Sequence, residues 1–275
     1  DAVIAIQNSV PEDLDIDADN DGYVDALSFS IYRNVDGWSD LLWPHRWALY
    51  SFDVYINGSR VYDYTFELTE SSYFTAGVLC HEFFHVLGAP DLYHYNSNGS
   101  PDAVGGWDLM ESTSNPPQYM GAFMKWKYGD WIPEIPEITS TGTYTLNPLQ
   151  QQENAAYKIA SPNSETEYYV VEYRVKEGVY ESNTPGSRDG LLVYRINTEA
   201  GNGNAQGPPD EVYLYRPGGT LTSQGSFVSA PYNANWSHTE INNFTNPEPF
   251  LYNDGSGGQG GLNLLNVGSG GETIS

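Results

Sequence analysis

The sequence has little cysteine, few basic residues and no long apolar run. Cys80 is its one cysteine, so no disulfide can form within the chain, and we interpret it as a small buried hydrophobic side chain. Eleven Lys and Arg face 36 Asp and Glu, a formal net charge of -25. Because phosphate groups need cationic partners, this charge argues against nucleic acid and against an anionic membrane surface. No apolar stretch reaches transmembrane length, so membrane insertion is not expected.

The residues that are plentiful indicate an ordered, β-rich protein. The 22 Tyr and 7 Trp are too many for a disordered chain, despite its charge. The 28 Gly and 17 Pro favour many turns and β structure. Such an acidic composition fits a soluble protein outside the cytosol, often one that holds Ca²⁺. The expected location is extracellular, and since the chain contains no signal peptide or pro-segment, a secreted protein would be present here in a mature or trimmed form.

The most informative stretch covers residues 80–91 and reads Cys-His-Glu-Phe-Phe-His-Val-Leu-Gly-Ala-Pro-Asp. His81 and His85 are four residues apart, so on a helix they lie one turn above the other and can bind one zinc ion. Glu82 can take a proton from water at that ion. Gly88 tolerates a positive φ, which lets the helix end abruptly and turns the next acid back as a third ligand. The fourth position stays open for water, as a catalytic zinc site requires.

Three residues compete for the position of third ligand. Asp91 has the best spacing after the helix-ending glycine, and we expect it to complete the set. His94 follows shortly afterwards, and Glu111 lies well downstream, where other zinc peptidases take a glutamate ligand. Met110 lies where a tight turn is expected, and metzincins place such a methionine beneath their metal.

An acidic loop near the start of the chain predicts a calcium site. Residues 17–25 read Asp-Ala-Asp-Asn-Asp-Gly-Tyr-Val-Asp, a pattern of alternating acids with glycine at the sharp turn. The expected calcium ligands are Asp17, Asp19, Asp21, Asp25 and the backbone carbonyl of Tyr23. Ser28 stands where an EF-hand has its bidentate Glu, so another residue completes the shell or the site is weaker.

Periodicity and turn signals predict an α+β fold with a β-rich second half. Helices are expected at about 73–87, which carries the histidines, and at 118–128. Asn57-Gly58 predicts a hairpin turn. Predicted strands cover 25–32, 49–56, 60–66, 142–146, 156–160, 168–175, 190–196 and 212–215. The proline-rich segment at 132–136 divides a catalytic domain at 1–133 from a β-rich domain at 134–275, packed on it or continuous with it.

Several segments together resemble the immune inhibitor A-type metallopeptidases, the M6 family. The resemblance extends from about residue 13 to residue 195, and the zinc stretch is its most specific part. The matching segments are Asp17–Asp25, Trp43–Trp47, Cys80–Tyr93, Gly105–Met110, Ala122–Trp126, Glu167–Arg174 and Gly190–Tyr194. Phe84 departs from the pattern, because a small residue, often Gly, is common at that position.

The resemblance implies a zincin or metzincin-like catalytic domain in a secreted, zinc-dependent endopeptidase that is made as a zymogen and binds calcium. It implies that His81, His85 and Asp91 are zinc ligands, that Glu82 is the general base and acid, and that Met110 lies in the turn below the metal. The expected partner is a protein or peptide substrate, and a monomer is favoured.

Three further expectations concern the substrate-binding strand, the residues that stabilise the oxyanion and the alternative function. An extended substrate would pair with an edge strand, for which the 49–56 hairpin is a candidate. His45 and Tyr119 are candidates for stabilising the oxyanion. The alternative function is a catalytically inactive, calcium-stabilised binding or adhesin module on a zincin scaffold, and the intact Glu82 argues against it.

Overall fold

The computed structural model describes residues 1–32, 43–70, 72–96, 99–151 and 153–275. A few short helices and several small sheets make the fold α+β, as predicted. In chain order the elements are α1 (Ala2–Ile6), β1 (Ser28–Ile31), β2 (His45–Ala48), β3 (Tyr55–Ile56), β4 (Ser59–Arg60), β5 (Asp63–Leu68), α2 (Ala76–Val86), α3 (Ala122–Lys127), β6 (Ala156–Ala160), β7 (Glu167–Arg174), β8 (Gly190–Asn197) and β9 (Val212–Leu214).

The chain forms two compact units, Asp1–Gly88 and Ala89–Ser275. Their junction lies within the histidine stretch, whereas the proline signals at 132–136 predicted a division at residue 133. That predicted division into domains stays a prediction. No helix in the described ranges has both the length and the apolarity needed to cross a membrane.

The first unit contains a three-stranded sheet in the order β1-β5-β2. Strand β5 pairs parallel with β1 and antiparallel with β2, so its partners are not those of a hairpin. The predicted hairpin turn is present at Asn57-Gly58, where both residues have the positive φ of 48° and 94° that a tight primed turn requires. Its strands are only β3 and β4, much shorter than the predicted 49–56 and 60–66.

Strand β5 alternates between two environments. Thr65 and Glu67 are buried, and the charge of Glu82 on α2 acts on Glu67, so these residues face α2. Tyr64 and Phe66 point to the opposite face, where aromatic rings from β1 and β2 contact them. Helix α2 packs against β5 and β2, which fixes the histidine helix on the sheet.

Helix α2 has well-defined ends. Thr75 caps its first turn by accepting a hydrogen bond from the Val78 N–H at 3.2 Å, which explains why the helix begins three residues after the predicted start. At the other end Gly88 has a φ of +93°, as its sequence position predicted. Phe84 is buried within the helix stripe that faces the unit's interior. The prediction that Cys80 is buried was wrong, because it lies to one side of that stripe and is exposed.

The second unit is built on a four-stranded antiparallel sheet in the order β6-β7-β8-β9. All four strands were predicted to within one or two residues, because runs of apolar residues at strand length lie between clear turn signals. The predicted strand at 142–146 is reduced to one bridge, between Leu146 and Ile274. Helix α3 is also shorter than the predicted 118–128, and it packs against β7.

Candidate metal centre

His81, His85 and Asp91 come together as a group that could hold a metal ion. Each offers one ligand atom, and these atoms all lie within 4.8 Å of one another. The two imidazole rings are one helical turn apart, with centroids 4.7 Å apart and planes at 88°. The turn at Gly88 ends the helix and leads the chain to the carboxylate. Two imidazoles and one carboxylate are a donor set that suits zinc and leaves a fourth position open.

The third member of this group is held by its own neighbours along the chain and by a later loop. Tyr95 Oη donates to Asp91 Oδ2 at 2.5 Å, a contact that sequence reasoning missed. The Asn204 N–H donates to the Asp91 carbonyl at 3.0 Å, and the Leu92 N–H donates to the Met110 carbonyl at 2.9 Å. The backbone of Asp91 is therefore fixed from two sides.

The two alternative third ligands are engaged elsewhere in the second unit. His94 Nε2 lies 2.6 Å from Asp210 Oδ1, and this hydrogen bond raises the pKa of His94. Glu111 Oε2 accepts hydrogen bonds from the N–H groups of Val104 at 2.5 Å and Gly105 at 2.6 Å. These contacts tie Glu111 to the backbone of that loop, and burial raises its pKa to about 8. Neither residue joins the metal-ligand group found in the described part of the chain.

Met110 is fully buried in a tight turn, as predicted. Asp108 organises this turn: its Oδ1 accepts from the Met110 N–H at 2.8 Å and its carbonyl accepts from the Glu111 N–H at 3.2 Å. Its Oδ2 accepts from the Gly121 N–H at 2.6 Å, directly before α3. Burial raises the pKa of Asp108 to about 6. The position of Met110 beneath a metal stays a prediction.

A buried ion-pair network, which sequence reasoning also missed, supports this turn. The guanidinium of Arg174 binds Glu181 at 2.7 Å and Glu172 at 3.0 Å, and it donates to the Trp107 carbonyl at 3.0 Å. Glu172 in turn accepts from the Ala122 N–H at 2.6 Å, at the first turn of α3. The network joins strand β7 to the segment that contains Met110. An alternation of charged and apolar residues in a predicted buried strand is the sequence signal for it.

Glu82 lies on α2 beside the first histidine and is buried. A second buried carboxyl, Glu67, lies across from it on β5 and is 1% exposed. Neither carboxyl oxygen of Glu67 has a hydrogen-bond partner within the described ranges. Burial and then the charge of Glu82 raise the pKa of Glu67 to about 7. Sequence reasoning missed Glu67, although an acid among the apolar positions of a strand is a recognisable signal.

The two candidates for oxyanion stabilisation have packing contacts. The His45 ring stacks on Phe66 with centroids 5.4 Å apart, and its Nδ1 donates to the Trp43 carbonyl at 2.6 Å. Tyr119 belongs to the second unit, where the Lys125 ammonium lies 4.1 Å from its ring centroid. Their assignment to the oxyanion stays a prediction.

The acidic loop brings together three of its five predicted calcium ligands. Asp17, Asp19 and Asp21 each offer a carboxylate oxygen within 4.8 Å of the others. Asp17 also accepts from the Gly22 N–H at 3.1 Å and from Ser59 Oγ at 2.8 Å, so the loop is tied to β4. Gly22 has the positive φ of +89° that the sharp turn requires.

The other two predicted calcium ligands have different contacts. Asp25 Oδ2 accepts from the Ala18 N–H at 3.1 Å, which closes the loop, and Asp25 is outside the three-acid group. Tyr23 forms a backbone bridge with Arg60. The geometry of the loop therefore resembles a cation site at its first three acids, and the rest of the shell stays a prediction.

Part of the chain is similar in sequence to known peptidases. Residues 19–125 match the family model described as immune inhibitor A peptidase M6, catalytic domain. Over 115 residues the chain is 28% identical to immune inhibitor A of Bacillus thuringiensis subsp. alesti. Over 112 residues it is 31% identical to the pre-pro-metalloprotease PrtV of Vibrio cholerae serotype O1.

The matched region is a limited part of each protein. It covers 34% of this chain in both alignments, but 16% of the Bacillus protein and 12% of the Vibrio protein. The family match includes the two histidines, Glu82, Asp91 and all of the acidic loop from Asp19 onwards. Over residues 19–125 the chain is therefore similar to the catalytic domain of the M6, or immune inhibitor A, peptidases.

Proposed function

We propose that this chain carries the catalytic region of a secreted, zinc-dependent endopeptidase with a zincin-like arrangement around α2. The observation that carries the proposal is the group of two imidazoles and one carboxylate within 4.8 Å, with Glu82 next to the first histidine. His81, His85 and Asp91 would hold the zinc. The similarity to the M6 catalytic domain supports a peptidase, and the proposed substrate class follows from it: proteins or peptides.

The mechanism assigns separate tasks to the metal and to the chain's own residues. A bound zinc ion supplies Lewis acidity towards the scissile carbonyl and activates a water molecule near neutral pH. Glu82 lies one residue after the first ligand on the same helix, where its carboxylate takes the proton from that water. It then delivers the proton to the leaving amine, so one residue acts as base and acid in turn.

The sheet suggests where an extended substrate would bind. Of the 49–56 segment that was expected to form the edge strand, only Tyr55–Ile56 is a strand, so the segment gives little support to that expectation. Strand β2 is instead an edge of the described sheet, antiparallel to β5, and α2 packs against it. A substrate that adds to β2 would run beside the histidine helix and could receive main-chain hydrogen bonds along its length.

Calcium is the second metal in this proposal. Three carboxylates within 4.8 Å of one another repel unless a cation neutralises them. Their tie to β4 through Ser59 means that a bound calcium ion would brace the loop against the rest of the first unit. Secretion agrees with the acidic loop, because extracellular calcium is abundant enough to fill weak sites.

The central test is a Glu82→Gln variant assayed with a fluorescence-quenched peptide library. We expect kcat/KM to fall by about 100- to 10,000-fold, the range for loss of a general base, while zinc content stays that of the wild type. An exposed Glu12→Gln variant serves as the matched control and should retain full activity.

Two results would overturn the proposal. Retained cleavage by Glu82→Gln would remove Glu82 from the chemistry. A wild-type protein that binds zinc stoichiometrically but cleaves no peptide in the library would favour the inactive binding module instead.

A further inference from the structure

The hydroxyl of Tyr95 contacts the carboxylate that we assign to zinc. Tyr95 Oη donates to Asp91 Oδ2 at 2.5 Å. Asp91 is 5% exposed, whereas the Tyr95 side chain is 56% exposed. Burial of the ring therefore does not explain why the hydroxyl lies there. The contact links a surface residue to a buried acid four positions earlier in the chain.

The backbone around this contact is held in place by the loop at residues 203–205. The Tyr95 N–H donates to the Ala205 carbonyl at 2.9 Å, and the Asn204 N–H donates to the Asp91 carbonyl at 3.0 Å. Gly203 has a φ of +75°, and a Cβ there would lie 2.4 Å from the Asp91 carbonyl oxygen. Both ends of the Asp91–Tyr95 segment are thus anchored to one loop. This fixes the backbone between them, so the Tyr95 hydroxyl is held close to the Asp91 carboxylate.

A carboxylate ligand needs such a partner for a physical reason. An aspartate side chain can rotate about its terminal torsion, and only some rotations aim an oxygen at the metal. A hydrogen bond to one oxygen selects the rotation and leaves the carboxylate pre-oriented. Residues that bind metal ligands in this way typically change metal affinity by about 10- to 100-fold when they are removed.

We propose that Tyr95 is a positioning residue that orients the Asp91 carboxylate for zinc, an inference that rests on the proposed function. It acts through Asp91 and does not itself touch the substrate. His94, the neighbour of Tyr95, anchors the same segment through its 2.6 Å contact with Asp210. The segment after the zinc helix thus contains one ligand and the residue that aims it.

The test measures zinc affinity by competition with a chromogenic chelator for the wild type and three variants. Tyr95→Phe removes only the hydroxyl and should weaken zinc binding by about 10- to 100-fold. Asp91→Ala should weaken it further. Tyr144→Phe is the matched control, because its hydroxyl donates to the Ser140 carbonyl at 2.7 Å in the β-rich unit, and it should bind zinc as the wild type does.

Two more readouts separate positioning from a general structural role. The metal-free melting temperature of Tyr95→Phe should stay within about 4 °C of the wild type, because the change removes one hydrogen bond from a residue that is largely exposed. With cobalt(II) in place of zinc, the visible absorption bands of Tyr95→Phe should shift, since they report the geometry of the ligands.

The outcomes are distinguishable. Wild-type zinc affinity in Tyr95→Phe, together with weak binding in Asp91→Ala, would overturn the role of Tyr95 and leave the zinc site intact. Wild-type affinity in Asp91→Ala would remove Asp91 as a ligand, and the proposed zinc site would fail with it. A larger fall in the metal-free melting temperature of Tyr95→Phe, together with a loss of zinc affinity, would show that the hydroxyl only stabilises the fold.

Discussion

Replacing Glu67 with glutamine should remove a loss of folding stability that the first unit undergoes as the pH rises. Glu67 is 1% exposed, and its carboxyl oxygens lack hydrogen-bond partners in the described part of the protein. Burial, followed by repulsion from Glu82, raises its pKa from 4.5 to about 7. Ionisation of Glu67 above that pH therefore places a second negative charge near Glu82 without a hydrogen bond to offset it.

The sign and size of the effect follow from the linkage between protonation and folding. The folded protein holds the proton on Glu67 more tightly than the unfolded chain does. The contribution of this proton to the free energy of unfolding is therefore fully present below about pH 4.5. It is lost as the pH rises through about 7. At about 1.4 kcal/mol per pH unit, the loss is at most about 3 kcal/mol, because water penetration and local relaxation reduce the cost.

The assay is urea denaturation between about pH 5 and pH 8, with a chelator present so that no metal charge acts on Glu67. The free energy of unfolding of the wild type should fall across this range by up to about 3 kcal/mol more than that of Glu67→Gln. Comparing the pH dependence, rather than absolute stability, removes the cost of burying the glutamine amide. The exposed control Glu12→Gln should follow the wild type. Parallel curves for Glu67→Gln and the wild type would refute the reasoning.

Three further predictions concern the helix cap, the loop over Asp91 and the acidic loop. Thr75→Ala should lower the free energy of unfolding by about 1 kcal/mol in urea, and Thr75→Ser should restore it; equal stabilities would contradict the capping role. Gly203→Ala should lower both the melting temperature and the zinc affinity, because its Cβ would lie 2.4 Å from the Asp91 carbonyl oxygen; unchanged values would show that the loop can yield. Removing calcium with a selective chelator should lower the wild-type melting temperature, and Asp19→Asn should reduce that shift; a wild type insensitive to calcium would rule out the site.

The strands of the second unit show how far local pattern reaches. Strands β6 to β9 were predicted closely because each is an apolar or alternating run between turn residues, and in a meander each pairs with its neighbour along the chain. The same reasoning failed for β5. It was assigned to a hairpin with 49–56, but it pairs with β1 and β2, and such non-local partners leave no local signal.

The sequence by itself determined how the two histidines are aligned on α2 and where that helix ends. Two residues spaced by four lie on one face of a helix, which aligns His81 with His85 whatever surrounds them. Gly88 can end the helix because glycine has no Cβ and tolerates the positive φ found there. Both features depend only on the local backbone conformation. They could therefore be predicted without knowledge of the fold.

Only the tertiary structure separated the candidates for the third ligand and revealed their partners. His94 is bound by Asp210, 116 residues later, and Glu111 is bound by backbone N–H groups, whereas Asp91 lies with His81 and His85 in the group that could hold a metal ion. Glu67 lies near Glu82 because β5 packs against α2. Each of these relations depends on where distant segments meet in space, and the spacing of residues along the chain carries no record of that.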